Sequence, residues 1–262
     1  GVGEWTTTSV AIGRGRDLEV VKEIHFPHSL GLLYSAFTSY CGFKVNSGEY
    51  KLMGLAPYGE PRYAPLILDK IVDLKADGTF RLDQRYFDYC TGLRMTNEKF
   101  HDLFGGAPRK SEDTLDQRHM DLAASIQVVT EEIVLRLTRS LARETGIKKL
   151  CLAGGVALNC VANGKILRDG AFDEIWIQPA AGDAGGALGA ALAAAHLVFD
   201  EPRSKTNGLD AMKGSYLGPE FSQGEIETRL RELGANFETL ADEDLFSRTA
   251  RACHSGGRIT MS

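Results

Sequence analysis

KLCLAGGVALNCVANGKILRDGAFDEIWIQPAAGDAGGALGAALAAAHLVF, Lys149 to Phe199, is the stretch whose reading decides the fold. A short apolar strand, Leu150–Ala153, stops at Gly154-Gly155, and a helical run carrying Leu158, Val161, Ala162, Lys165 and Ile166 follows at once. A second strand, Glu174–Gln178, ends at Pro179; the turn Ala181-Gly182-Asp183-Ala184-Gly185-Gly186 then opens a helix of alanine, glycine and leucine. Strand, glycine turn and helix, twice over, describe a parallel α/β unit. Both turns lie where a strand hands over to a helix, and there unpaired backbone N–H groups and the positive end of the helix dipole attract anions. Ligands of open α/β sheets collect at the carboxyl ends of the strands. Asp183 adds a fixed negative charge where a metal or a ribose docks. The competing explanation is structural: a Gly-Gly pair serves any sharp turn, and a Gly/Ala helix packs close to its neighbours.

Working outward, the bulk composition narrows the class. The 262 residues carry 43% hydrophobic and 25% charged side chains, ordinary for a soluble globular protein and enough for one large domain or two. A net charge of −5 and the lack of a dense Lys/Arg run argue against a nucleic-acid surface. Arg136, Arg139, Arg143, Lys148 and Lys149 spread along a helix and its exit as a solvated face. Five cysteines without a CxxC pair favour a reduced, cytoplasmic protein. The longest apolar run, Ala187–Phe199, is too short to cross a bilayer, so no membrane partner is expected. The chain opens without Met and stops at GRITMS, beside what reads as the start of a strand, and is expected to be a piece of a longer protein.

The remaining segments set the frame for those turns. Thr6–Ile12 and Leu18–Phe26 predict a hairpin with Gly13–Asp17 as a loop longer than the tightest class. Ser29 is a fair N-cap for a helix whose apolar face is Leu32, Leu33, Ala36, Phe37 and Tyr40. His28 stands just before it. The loop with Lys44, Asn46, Ser47, Gly48, Glu49, Tyr50 and Lys51 is dense in donors and acceptors, as functional loops are, and leads into a helix Glu49–Ala56 halted by Pro57. About residues 61–113 read as an insertion decorating the core: a helix Ala64–Leu74, a turn at Asp77-Gly78, Thr79–Leu82 pairing with Tyr86–Cys90, and a helix Thr96–Phe104. Asp116–Thr145, with Leu122, Ile126, Val129, Ile133, Leu137 and Leu141 at three- and four-residue steps, is a long amphipathic helix ending at Gly146. Residues 200–214 have linker composition. Beyond them the pattern predicts strands at Ser215–Leu217, Asn236–Leu240 and Arg258–Met261. Two helices are expected, one capped by Ser222 with Glu225 three residues on, the other Asp242–Ser255.

Four motifs in this order, GVGEWTTTSVAIG (1–13), FPHSLGLLYSAFTSYCGFKVNSGEYKLMGLAPYGEP (26–61), LAGGVALNCVANGKI (152–166) and IQPAAGDAGGALGAAL (177–192), resemble the O-carbamoyltransferases of the nodulation and cephamycin type (NodU/CmcH). The resemblance implies that residues 1–199 are the second ribonuclease-H-like lobe of an actin/hexokinase-type ATPase (ASKHA) core. That core is related to the enzyme that makes threonylcarbamoyl-adenosine on tRNA. Residues 215–262 would begin a smaller α+β YrdC-like domain. It implies that carbamoyl phosphate and ATP give carbamoyl-adenylate and pyrophosphate, the carbamoyl group then passing to a hydroxyl of a sugar or natural-product acceptor. It also implies a divalent metal, Fe2+ or Mg2+, at the nucleotide phosphates.

By motif, Gly1-Val2-Gly3 resembles the second phosphate loop, and Ser47-Gly48-Glu49-Tyr50-Lys51 the helix start that approaches the ribose. Gly154-Gly155-Val156 with Asn159 resembles the adenosine-side loop, and Asp183 the acidic metal ligand. Lys44 is expected to offset phosphate charge, and His28 or Glu49 to accept a hydroxyl proton. The family's first lobe and the Asp that would stand just before Gly1 lie ahead of this segment, and its carbamoyl-phosphate site lies beyond Ser262. Residues 1–262 alone are therefore expected to hold nucleotide weakly and to turn over nothing. Two alternatives stand beside this expectation: a sugar or acyl kinase on the same core, and a nucleotide-binding scaffold without transfer chemistry. Homo-oligomerisation is left open.

Overall fold

The structure is a computed structural model that describes residues 5–203 and 212–254. Its first unit, residues 1–205, is assembled on one long helix. That helix runs Gln117–Thr145 (called α5 once the preceding elements are placed), and it begins and ends where its sequence says it should. Asp116 accepts the backbone N–H of His119, while the His119 ring takes the N–H of Asp116 in return, a reciprocal cap. Gly146 stops the helix in the left-handed conformation (φ 65°), which costs a glycine little. Leu122, Ala123, Ile126, Val129 and Ile133 are fully buried along one face.

The elements before it wrap that face. Strands β1 (Thr6–Arg14) and β2 (Asp17–His25) form an antiparallel hairpin. Its pairing reaches Arg14 opposite Asp17, so the loop is only Gly15-Arg16, shorter than predicted. Gly15 at φ 63° makes that tight turn feasible. Helices α1 (Leu30–Tyr40), α2 (Glu49–Leu55) and α3 (Ala64–Lys70) all pack on α5. Ser29 caps α1 as expected, accepting Leu32 N–H at 3.1 Å.

Residues 61–113 do not decorate the core; they supply much of it. Ile67, Phe80, Phe87, Phe100 and Phe104 belong to one apolar cluster with Leu33, Phe37, Tyr40 and the α5 stripe. The Phe37 ring meets Phe100 and Phe104 edge-on, at 5.1 and 5.3 Å between centroids. The helix expected over Ala64–Leu74 ends at Lys70, because Ile71-Val72 lead into strand β3 (Val72–Leu74). β3 pairs with β4 (Phe80–Leu82), in place of the predicted pairing of 79–82 with 86–90. The Asp77-Gly78 turn decides this: Gly78 adopts φ 88°, and Asp77 accepts both the N–H and the hydroxyl of Thr79. A short helix α4 (Glu98–Leu103) follows, capped by Asn97.

After α5 the chain builds the predicted parallel unit. Strand β5 (Lys149–Leu152) pairs in parallel with β6 (Glu174–Ile177), Lys149 opposite Glu174. The crossover is helix α6 (Cys160–Asp169), packed on α5 and ended by Gly170 at φ 72°. β6 leads into α7 (Ala184–Ala193), which runs on through a wider π turn, Ala194–Val198. The fold of this unit is thus mixed α/β, with small sheets around a helical core.

The second unit spans residues 206–262. It contains α8 (Gln223–Glu232), with the predicted Ser222/Glu225 capping box, and α9 (Asp242–His254). The strands expected at Ser215–Leu217 and Asn236–Leu240 do not form: a 3₁₀ turn spans Lys213–Ser215, and residues 236–240 are irregular. A strand needs a partner to satisfy its backbone, and none is present among the described residues. The strand expected at Arg258–Met261 lies outside the described residues.

Candidate functional site

The two glycine turns lie side by side. Because β5 and β6 are parallel neighbours, their carboxyl ends coincide, and the turns beyond them are stitched together: Gly154 N–H donates to Ala181 O at 2.7 Å. Just before the turns, Gln178 N–H donates to Leu152 O at 3.1 Å. Gly154 holds φ 96°, ψ 162°, a region open to glycine alone. Gly185 is required for a different reason: a Cβ there would lie 2.1 Å from Ala180 O. Around Gly155, Gly182 and Gly186 a Cβ would meet nothing within 4 Å, so these backbones are open to approach. Asp183 is the N-cap residue of α7, yet its exposed carboxylate caps nothing. The first amides of α7 therefore lack a side-chain cap.

The first turn is built differently from the expectation of an immediate helix. A 3₁₀ turn, Gly155–Leu158, intervenes, which leaves Leu158 exposed and makes Asn159 both the end of that turn and the cap of α6, through Ala162 N–H at 3.0 Å. The Asn159 amide also pairs reciprocally with Gln127 of α5: Asn159 Nδ2 donates to Gln127 Oε1 at 2.9 Å, and Gln127 Nε2 donates to Asn159 Oδ1 at 3.1 Å. Gln127 Nε2 reaches Glu131 Oε1 at 2.9 Å, the Tyr34 hydroxyl donates to Gln127 Oε1 at 3.2 Å, and Glu131 pairs with Lys165 of α6. Motif reading passed over Gln127, Glu131, Tyr34 and Lys165. The signal available was a pair of polar residues four apart on the apolar face of α5.

The polar loop before α2 is also closed on itself. Glu49 Oε1 accepts from Ser35 Oγ at 2.8 Å and from Asn46 N–H at 2.9 Å, with Asn46 in the left-handed region at φ 63°. Gly48 is buried, and a Cβ there would lie 2.8 Å from Phe43 Cβ. Lys44, Ser47, Tyr50 and Lys51 face solvent. His28 has other neighbours: its Nδ1 accepts Leu82 N–H of β4 at 3.1 Å, and its carbonyl takes the Thr7 hydroxyl. Burial, and secondarily Arg81, hold the His28 ring below the usual histidine range, so it is neutral at pH 7. Ser47 and Gly48 thus lie at the entry to α2 and Glu49 and Lys51 on its first turn, and Gly154, Gly155, Val156 and Asn159 share a turn beside the one that carries Asp183. Gly1, Val2 and Gly3 lie outside the described residues.

The end of the second long motif proves to be packing. Gly59 lies against the α5 backbone, Asp121 Oδ1 accepts Glu60 N–H at 2.8 Å, and Ser125 Oγ accepts Tyr63 N–H at 3.0 Å.

Comparison with known proteins agrees with this arrangement of motifs. Residues 1–192 match the family described as carbamoyltransferase N-terminus. The chain belongs to that family. An uncharacterized protein of Synechocystis sp., sll1178, is 62% identical over 99% of this chain. Nodulation protein NolNO of Sinorhizobium fredii is 35% identical over 99%, and nodulation protein NolO of Bradyrhizobium diazoefficiens 34% over 99%. This chain spans less than half the length of those three relatives, 42%, 36% and 44% respectively.

Two further expectations meet the structure here. Among the described residues no three His, Cys, Asp or Glu side chains gather as a metal-ligand set, so Asp183 offers a single carboxylate. A hard divalent cation takes six or more oxygen ligands, and these residues by themselves do not make such a site. No helix among the described residues is long and apolar enough to cross a membrane.

Proposed function

We propose that this chain is the ribonuclease-H-like nucleotide lobe of an ATP-dependent O-carbamoyltransferase. The observation that carries the proposal is the stitched pair of glycine turns at the carboxyl ends of β5 and β6, joined through Gly154 N–H and Ala181 O, in a chain of the carbamoyltransferase family. One turn leaves glycine backbone open at Gly155; the other opens an α7 start that no side chain caps. Backbone amides of this kind suit an adenine nucleotide and its phosphates.

In the proposed reaction water cleaves carbamoyl phosphate to carbamate and orthophosphate, and a carbamate oxygen attacks the α-phosphorus of ATP to give carbamoyl-adenylate, with pyrophosphate as leaving group. The activated carbonyl then passes to an acceptor hydroxyl, with AMP as leaving group. Glu49 is the favoured proton acceptor of the candidates. Its Oε1 is fixed by Ser35 and Asn46, which leaves Oε2 to receive a hydroxyl proton. Lys44, exposed on the loop before α2, and Lys51, exposed on the first turn of α2, offset phosphate charge. His28, with Nδ1 already engaged by Leu82, is better placed to hold β4 than to move a proton. Carbamoyl phosphate, a hydroxylated acceptor, a cytoplasmic site of action and a YrdC-like domain beginning near residue 215 belong to the same proposal.

Product analysis of the full-length protein tests it. Pyrophosphate formed only with carbamoyl phosphate present, and AMP released when the acceptor is added, support adenylation. ADP in their place would make the protein a kinase, and no nucleotide turnover would leave a binding scaffold. Glu49→Gln should lower transfer by about 10²–10⁴-fold, the span of general-base contributions; an unchanged rate would remove Glu49 from the mechanism.

A further inference from the structure

The Gly154–Asn159 turn is held from behind by a buried polar clamp, and the clamp centres on Gln127. This residue sits mid-way along α5 on the helix's packed face, only 5% exposed. A glutamine amide has two N–H donors and two acceptor lone pairs, and all four are used here. Oε1 accepts from Tyr34 of α1 and from Asn159 Nδ2; Nε2 donates to Glu131 Oε1 and to Asn159 Oδ1. The second arm is Glu131, 4% exposed, whose other oxygen pairs with Lys165 on α6. Three elements therefore meet on one side chain, and two of its four bonds go to the residue that ends the turn and caps α6. Such a fully satisfied buried network fixes geometry, because any slip leaves a buried polar group unpaired.

We infer that Gln127 is a positioning residue: it sets the placement of the Gly154–Asn159 turn, and through it the nucleotide contact, without touching nucleotide itself. The inference rests on the proposal that this turn faces ATP. The amide is specific. A glutamate of the same shape would turn an oxygen toward Asn159 Oδ1 and Glu131 Oε1, where the native group donates to both. Its carboxyl would stay protonated until the pH forced ionisation next to Glu131. The charged and titratable groups facing it are Glu131 on its own helix, Tyr34 from α1 and, through Glu131, Lys165 from α6.

The test uses the full-length protein with Gln127→Met and Gln127→Glu. Amide hydrogen exchange over residues 154–166, corrected for intrinsic rates, should rise at least tenfold in Gln127→Met, while the β1–β2 hairpin is unchanged. KM for ATP should rise about tenfold, with KM for carbamoyl phosphate unaffected. In Gln127→Glu the ATP KM, relative to wild type, should fall back toward wild type as the pH is lowered and the carboxyl becomes protonated. This second variant keeps the test decisive if Gln127→Met does not fold. Wild-type exchange at 154–166 in Gln127→Met, or in Gln127→Glu at neutral pH and above, overturns the inference, as does loosening spread over the whole chain with no pH recovery in Gln127→Glu. Local loosening with an unchanged ATP KM upholds the clamp and instead removes the turn from the nucleotide site.

Discussion

Two glycines in the MGLAPYG segment (Met53–Gly59) should respond to alanine in opposite directions, and the contrast tests whether its end is packing. Gly59 has φ −114°, a value any residue adopts, so Gly59→Ala carries no backbone penalty. Its cost is contact. A Cβ there would stand 2.0 Å from Met120 O and 2.5 Å from Asp121 N, roughly 1.5 Å inside the separation of an optimal contact at the first of these. Those atoms belong to the backbone of α5 and cannot rotate away, so the overpacking penalty falls near the top of its usual range, about 3 kcal/mol. If the segment swings off instead, it loses Glu60 N–H to Asp121 and Tyr63 N–H to Ser125, each worth about 1 kcal/mol. Gly54 is exposed within α2, and a Cβ there would meet nothing within 4 Å. Gly54→Ala should stabilise that helix by up to about 1 kcal/mol. Hydrogen exchange at the Glu60 and Tyr63 amides reads the difference directly. About 3 kcal/mol is roughly a 150-fold faster local opening in Gly59→Ala, against slowed or unchanged exchange in Gly54→Ala. If Gly59→Ala left these amides protected within threefold of wild type, the packing account of this segment would be wrong.

Two further perturbations follow from buried polar groups. Asn159→Ala removes a helix cap and leaves the Gln127 amide half-satisfied, so chemical denaturation should show a loss of about 2–4 kcal/mol in the first unit; Asn159→Asp keeps the cap but turns an oxygen toward Gln127 Oε1, and should lie between that variant and wild type. Because burial lowers the His28 pKa below its unfolded value of about 6.5, the unfolded chain binds the proton more readily. The stability from this histidine is therefore complete above about pH 6.5 and is lost as the pH falls through the lower folded value. Thermal unfolding between pH 7.5 and 5 should show wild type losing more than His28→Gln, and parallel curves would refute this assignment.

The sequence by itself determined the local elements and the family. The α5 stripe, its Asp116 and Gly146 ends, the Ser29 and Ser222 caps, and the β5–α6–β6 crossover are written in periodicity and capping chemistry, which act within a few residues. What failed was pairing at longer range. Thr79–Leu82 had two candidate partner strands of similar composition, and only the Asp77-Gly78 turn geometry selected Val72–Leu74. The block 61–113 looked peripheral because its apolar residues are sparse along the chain, and they converge on α1 and α5 only in three dimensions. The candidate site divides the same way. Its glycines and Asp183 could be named from spacing, since strand–turn–helix boundaries are local. That the two turns touch, that Asn159 faces inward to Gln127, and that His28 serves β4 were settled by tertiary contacts between residues 27, 32 and 54 positions apart in sequence. A buried hydrogen bond is set by which elements pack together, and no short stretch of sequence carries that information.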